Sequence, residues 1–293
     1  METHPAHAKI NLFLRVLRRR EDGRHEIETL FQRVGLADRL HFEKTEEEGV
    51  HLECRGLPLD CGAGADNLVV RACRALFDRY RDRSGRPVSG GVRVILEKRI
   101  PARSGLGGGS SDAATTLTVL NGLFGFGFEQ ESLREVAGGL GADVPFFLGP
   151  PSAIGRGVGG ALEPVGHSAR FWAVLAAPDL GLSTAEVYSR WDSMAREREG
   201  GNLGSAVDAL QRADLRALLQ AMCNELEPLA FSIVPRLGRL REDLENRVGR
   251  PVRVSGSGSA LFTLADSDKE AHALAELWEK IPSLLRVCVT PFV

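Results

Sequence analysis

The sequence predicts an α+β protein of two domains, and three observations carry that expectation. Strand-like alternation and helix-like spacing both occur in each half of the chain, without a strict strand–helix repeat. A Gly- and Pro-rich stretch over 149–166 divides the halves. The length of 293 residues, with 43% hydrophobic and 26% charged, allows one large or two ordinary domains with a sizeable core. We place the domains at 1–160 and 161–293.

Residues 8–17 alternate, with Ala8, Ile10, Leu12, Leu14 and Val16 on one face and Lys9, Asn11, Phe13 and Arg15 on the other. Period two means a strand with one face in the core, which sets Lys9 and Asn11 side by side on the opposite face. A lysine so placed is ordinarily just solvated. Arg20 to Gly23 reads as a hairpin turn, and a return strand runs over 25–34. His25, at its start, reads locally as a strand-end histidine. Strands are expected at 39–44 and 50–54. Asp66 or Asn67 can cap a helix to about 82, with Leu68, Ala72, Ala75, Leu76 and Tyr80 at helical spacing.

The chain is organised around 101–117. A strand over 91–100 turns at Pro101, and Gly105, Gly107, Gly108 and Gly109 follow closely. Ser110, Ser111 and Asp112 then open a helix that ends near Gly122. Glycines let N–H groups turn inward and a ligand approach closely. A helix N-terminus behind them adds unpaired N–H groups and a positive dipole end. The combination is built for an anion, a nucleotide polyphosphate above all. Ser110 stands where a dinucleotide fingerprint needs its third glycine, and no lysine between Gly105 and Asp112 completes a Walker A loop. Helix capping by Ser110 or Ser111 would not need four glycines.

A second helix is expected over 129–138. Asp143 follows in a loop with Gly141, Pro145, Phe146 and Phe147. A carboxylate in such company is costly to desolvate unless paired, which makes Asp143 a candidate functional group, with helix capping as the alternative. Gly155 to Gly160 fits Gly-x-Gly-x-x-Gly literally but opens no helix, so it reads as a flexible turn closing the first domain. The second half offers a strand at 171–177 and helices at 184–198, 203–212, 215–224 and 228–247. Strands at 252–255 and 260–265 around a Gly-Ser turn, a helix at 268–280 and a strand at 284–290 complete it.

Composition narrows the function classes. A net charge of −2 argues for neither nucleic acid nor an anionic membrane as partner. Arg18, Arg19 and Arg20, beside Glu21 and Asp22, read as a solvated turn. The five cysteines are scattered and never spaced C-x-x-C, which suits a reducing compartment better than a disulfide scaffold or a zinc site. Residues 1–7 lack signal-peptide architecture and no apolar run approaches a membrane span, so a cytoplasmic protein is expected.

Taken together, the motifs resemble the galactokinase–homoserine kinase–mevalonate kinase–phosphomevalonate kinase (GHMP) superfamily. Ala8-Lys9-Ile10-Asn11-Leu12, then Pro101 to Ala114, then Val254-Ser255-Gly256-Ser257-Gly258-Ser259 occur in that family's order. Asp22 to Glu26, Thr29 to Gln32, Gly141 to Phe147 and Asn224 to Pro228 resemble the branch acting on 4-diphosphocytidyl-2-C-methyl-D-erythritol. The resemblance implies a two-domain GHMP-kinase fold: an N-terminal ribosomal-protein-like sheet-and-helix domain and a smaller C-terminal ferredoxin-like α/β domain, with the site in the cleft between. Its left-handed βαβ crossover would be an exception to the usual handedness.

The implied activity is ATP-dependent phosphorylation of the methylerythritol 2-hydroxyl, giving the 2-phosphate and ADP, in non-mevalonate isoprenoid biosynthesis. By resemblance Lys9 and Asp143 are the catalytic pair. Pro101, Ala102, Arg103, Ser104, Gly105, Leu106, Gly107, Gly108, Gly109, Ser110 and Ser111 cradle the ATP phosphates, with Asn67 and Lys98 near the adenine. Ser111 is a contact for the Mg2+ that ATP carries, and no protein-held metal is implied. Asn11, Arg24, His25, Val158, Thr184 and Tyr188 line the pocket for the small cytidyl-diphosphate substrate, His25 at the cytosine edge. A monomer or weak homodimer is expected.

Three departures stand out. Arg24 replaces a usual tyrosine, and since a guanidinium stacks on bases, Arg24 and Tyr188 are expected to sandwich the cytosine. Pro150, Pro151 and Gly160 alter a substrate loop, and Glu225 stands where Asp is commoner. Two other readings remain: a homoserine- or mevalonate-type kinase, and a non-catalytic nucleotide or RNA binder on the same fold. His25 and Tyr188 argue against the first; Lys9 with Asp143, and the lack of net positive charge, against the second.

Overall fold

The structure, a computed structural model, describes residues 2–57, 64–193 and 201–293. The first part of the chain runs β1 (His4–Arg19), β2 (His25–Thr45), β3 (Gly49–Gly56), α1 (Leu68–Ser84), β4 (Gly91–Lys98) and α2 (Gly108–Leu123). Then come α3 (Gln130–Leu140), α4 (Val144–Phe147), β5 (Ser152–Gly157), β6 (Ala161–Pro164), β7 (Trp172–Pro178) and α5 (Thr184–Ser193). The remainder is α6 (Leu203–Gln211), α7 (Leu215–Ala221), β8 (Cys223–Asn224), α8 (Glu227–Ile233) and α9 (Pro235–Val248). It closes with β9 (Arg253–Val254), β10 (Leu261–Ala265), α10 (Asp268–Glu279) and β11 (Leu284–Pro291). The expected mixture of helix and sheet is present. No helix among the described residues is long and apolar enough to cross a membrane.

By contacts the chain forms two compact units. One holds Met1–Ala8, Ala37–Ala102 and Gly107–Pro150; the other holds Lys9–Leu36, Arg103–Leu106 and Pro151–Val293. In the first unit β4 pairs antiparallel with β2, from Arg39↔Glu97 to Thr45↔Gly91, and parallel with β3. A parallel pair needs a crossover, and α1 lies in it. Asn67 caps α1 by accepting the Val69 N–H at 2.8 Å. Val69, Ala72, Cys73 and Leu76 form its buried stripe and share a core with Leu40, Leu96, Leu117 and Phe126.

In the second unit β5 pairs antiparallel with β2, from Ile27↔Gly157 to Gln32↔Ser152, and β6 pairs with β5. β8 adds to β1 in parallel, Phe13 opposite Cys223 and Leu14 opposite Asn224. A separate antiparallel sheet has the order β11-β7-β10-β9. Val174, Leu237, Leu261 and Trp278 lie in the core between this sheet and helices α9 and α10.

Several elements differ from expectation. β1 is not half-solvated: Lys9, Asn11 and Phe13 are as buried as Ile10 and Leu12. The strands expected at 25–34 and 39–44 are one continuous β2, since no residue between them breaks the extended backbone. α2 begins at Gly108, with Gly107 as its cap at φ 72°, so Ser110 and Ser111 lie inside the first turn rather than capping it. Gly155 to Gly160 is the end of β5 and the turn of a β-hairpin with β6. The helix expected over 215–224 stops at Ala221, where Met222 turns to ψ 128° and Asn224 joins the sheet. The one expected over 228–247 breaks at Val234, because Pro235 offers no N–H and disfavours helical backbone before it. Of the helix expected over 184–198, residues 194–198 lie outside the described residues.

Candidate active site

In the second unit three separated pieces of sequence meet: β1, the first half of the glycine loop, and the turn after β9. The Lys9 N–H donates to the Leu106 carbonyl at 2.9 Å. The Ala260 N–H donates to Ser104 O at 2.9 Å, and Ser255 Oγ donates to Gly105 O at 3.0 Å. At Gly105, φ is +78° and a Cβ would lie 1.9 Å from the Ser255 carbonyl, so both conformation and contact demand glycine.

Lys9 Nζ donates to Asn11 Oδ1 at 2.7 Å, Asn11 Nδ2 to Thr29 Oγ1 at 2.7 Å, and Thr29 Oγ1 to Phe13 O at 2.7 Å. The ammonium also lies 5.4 Å from the centre of the Phe31 ring. Gly256 faces this chain: a Cβ there would be 3.3 Å from both Lys9 Nζ and Asn11 Oδ1. The Gly256 turn is itself gripped from below. Asn224 Nδ2 donates to Val254 O at 2.8 Å and Gly256 O at 2.7 Å, and Glu227 Oε1 accepts the Val254 N–H at 2.6 Å. Burial pushes the Glu227 carboxyl up to about 7, against the pull of Arg253 and the Val254 N–H. Thr184 Oγ1 and Ser257 Oγ are hydrogen-bonded at 2.8 Å.

The predicted base-recognition residues also lie in this unit. His25 stacks on Tyr188 with ring centres 4.8 Å apart, meets Trp191 edge-on, and reaches Asp192 Oδ1 through Nε2 at 2.8 Å. The histidine side chain is thus largely buried rather than a solvent-facing strand end. Arg24 is exposed, with its guanidinium on Asp22 at 2.9 Å in the hairpin turn; the ring stacked on Tyr188 is His25. Val158 sits in the β5–β6 turn.

In the first unit, Pro101, Ala102 and Gly107 lie before α2, whose first turn holds Gly108 to Ser111. Ser111 is buried and its N–H donates to Gly107 O at 2.9 Å, while the preceding N–H groups of the first turn are those a helix leaves unpaired internally. Lys98 is buried, and its ammonium contacts Asp38 Oδ2 and, at 2.8 Å, Asp112 Oδ2. Burial works against the charged form of this lysine, but Asp112 and Asp38 hold its pKa above the ordinary value. Burial and the nearby Asp38 push the Asp112 carboxyl up to about 8, against Lys98. Asn67 uses its side-chain oxygen to cap α1. Asp143 precedes α4, is half-buried, and makes no side-chain cap to that helix, which removes the capping alternative.

Sequence reasoning missed Asp38, Asp112, Asn224, Glu227 and Asp192. Asn224 and Glu227 stood inside a motif but carried no role, while Asp38 beside Arg39 and Asp112 at a helix start look locally like ordinary acids.

The GHMP kinases N terminal domain signature matches residues 67–149, and that of the GHMP kinases C terminal domain matches 206–281. The chain belongs to the GHMP kinase family, whose members are ATP-dependent small-molecule kinases. It is 38% identical over 286 residues to 4-diphosphocytidyl-2-C-methyl-D-erythritol kinase of Moorella thermoacetica, covering 97% of each chain. To the enzyme of that name from Desulfotalea psychrophila it is 40% identical over 260 residues, covering 88% of this chain and 83% of the other. Among solved structures, a 4-(cytidine 5'-diphospho)-2C-methyl-D-erythritol kinase superposes with a TM-score of 0.79 at 37% identity, covering 99% of both chains. Mevalonate kinase of L. major, at 18% identity and a TM-score of 0.76 over 100% of this chain and 96% of the other, shares the fold.

Proposed function

We propose that this chain phosphorylates the 2-hydroxyl of 4-diphosphocytidyl-2-C-methyl-D-erythritol with ATP, releasing the 2-phosphate and ADP, in isoprenoid precursor biosynthesis. The observation that carries the reading is the pair of aromatic and charged residues around His25 in a chain similar over nearly its full length to kinases of that name. Phosphoryl transfer asks mainly for in-line positioning and charge stabilisation. Asp143 is the acceptor of the hydroxyl proton, and Lys9, aimed by Asn11 and Thr29, steadies the developing charge. The loop from Pro101 to Ser111 cradles the triphosphate, whose Mg2+ meets Ser111.

On the acceptor side Asn11, Val158, Thr184 and Tyr188 line the pocket. His25 reads the cytosine edge: its Nε2 is engaged by Asp192, which directs Nδ1 to the base. Arg24 covers the open base face once it leaves Asp22, and Arg24→Ala is expected to raise the acceptor KM. The working division falls near residue 160, the enzyme is cytoplasmic, and its partner is a small molecule. The test is ADP release from ATP with the cytidyl-methylerythritol diphosphate, homoserine and mevalonate in parallel. Turnover with the first alone is expected; turnover only with another acceptor, or with none, overturns the reading.

A further inference from the structure

The loop that precedes α2 has its two ends in the first unit, residues 99–102 on one side and Gly107 onward on the other. A single carboxylate group holds one end and borders the other. Asp38 Oδ1, on β2, accepts the N–H of Arg99 at 2.5 Å and of Ile100 at 2.8 Å, where the chain leaves β4. Asp38 Oδ2 holds the Lys98 ammonium, and Lys98 reaches Asp112 Oδ2, one turn into α2, at 2.8 Å. Gly108 lies so close that a Cβ there would meet Asp38 Oδ2 at 3.3 Å and Ile100 at 3.0 Å. All three charged side chains are buried, Asp38 fully so. One lysine and two acids buried together cost desolvation that a plain apolar contact would not, so the cluster is poor as a mere source of stability.

We propose that Asp38, Lys98 and Asp112 are positioning residues that clamp both ends of the triphosphate loop, with Lys98 acting through the two carboxylates and not on the adenine. The proposal rests on the kinase reading above, and it separates Lys98 from the base-contact role that resemblance implies. Asp38 fixes where the chain exits β4, Asp112 fixes the rotation of the first turn of α2, and Lys98 couples the two. The N–H groups that face the phosphates are thereby held before nucleotide arrives, which is pre-organisation of an anion site. A direct base contact and a clamp predict different selectivity. The loop meets phosphates common to every nucleoside triphosphate, whereas an adenine contact distinguishes ATP from GTP.

The experiment compares wild type, Lys98→Met and Asp112→Asn for KM of ATP, KM of the acceptor, the ratio of kcat/KM for ATP over GTP, and thermal stabilisation by ATP. In Lys98→Met the ATP KM is expected to rise about tenfold or more, the scale of a lost charged hydrogen bond. Asp112→Asn, which keeps size and an acceptor oxygen, is expected to raise it about threefold and carries the test alone if the first variant does not fold. In both, stabilisation by ATP falls in step while the ATP:GTP ratio and acceptor KM stay put. A loss confined to ATP, or unchanged ATP KM and stabilisation in the variants, overturns the clamp. A wild type that turns over no acceptor with ATP instead overturns the kinase reading, and leaves the binding comparison to judge the clamp.

Discussion

Among the described residues two lysines are buried, Lys9 at 3% and Lys98 at 8% exposure, and different groups orient them. Lys98 is caged by the carboxylates of Asp38 and Asp112. Lys9 is oriented by a chain of neutral groups, Asn11 to Thr29 to the Phe13 carbonyl, over the face of Phe31. A carboxylate cage fixes an ammonium by cancelling its charge. A neutral hydrogen bond, such as that from Lys9 to Asn11, gives an ammonium direction. On the proposed mechanism Lys98 serves as a strut, and the Asn11–Thr29 chain helps to aim Lys9.

The largest expected effects separate the two. Asp143→Asn should lower kcat by ~10²–10⁴, the range for losing a general base. Near-normal turnover would remove Asp143 from its role. Lys98→Met should instead strike stability, by about 3–5 kcal/mol, because it takes the cation from two buried acids. Urea unfolding reads this directly, and a midpoint like wild type would break the contrast. A smaller effect tests the neutral chain. Thr29→Val keeps the shape but leaves the Asn11 amide and the Phe13 carbonyl each short of a partner, at about 1–3 kcal/mol for a buried group left unmade. If the chain aims Lys9, kcat should fall more than ATP KM rises. An equal change in both would reduce Thr29 to packing.

The same contrast explains what could be read beforehand. The glycine loop and Lys9-x-Asn11 were legible because they are local: spacing alone put two side chains on one strand face and N–H groups at a helix start. Burial of Lys9 was not, because the alternation of β1 is the same whether its second face meets water or another layer. Asp38 and Asp112 lie 74 residues apart in sequence and meet around Lys98, so no window contains the cluster. Asn224 illustrates the intermediate case. Its motif was visible, but its task, holding the carbonyls of Val254 and Gly256, depends on a turn 30 residues on. The helix expected through Asn224 also hid it, since helical spacing continues up to Met222 and only the pairing of Cys223 and Asn224 with β1 ends it.

The smallest effect concerns pH. Glu227 holds the same turn by accepting the Val254 N–H, and burial raises its carboxyl from 4.5 to about 7. The folded state then binds the proton more tightly than the unfolded chain, so this contribution is full below about 4.5 and is lost as pH rises towards 7. Burial also raises the Asp112 carboxyl, so its contribution has the same sign. Wild type should therefore lose stability between pH 5 and 8 by more than its surface carboxylates would suggest. Glu227→Gln keeps an acceptor for Val254 but cannot titrate. Its melting temperature should fall less over that interval, by about 2–4 °C for each kcal/mol of linkage removed. Asp112 still titrates in that variant, so a shallow decline should remain. Parallel wild-type and variant curves would mean that Glu227 is ionised in both states, and that its hold on the turn is indifferent to the proton.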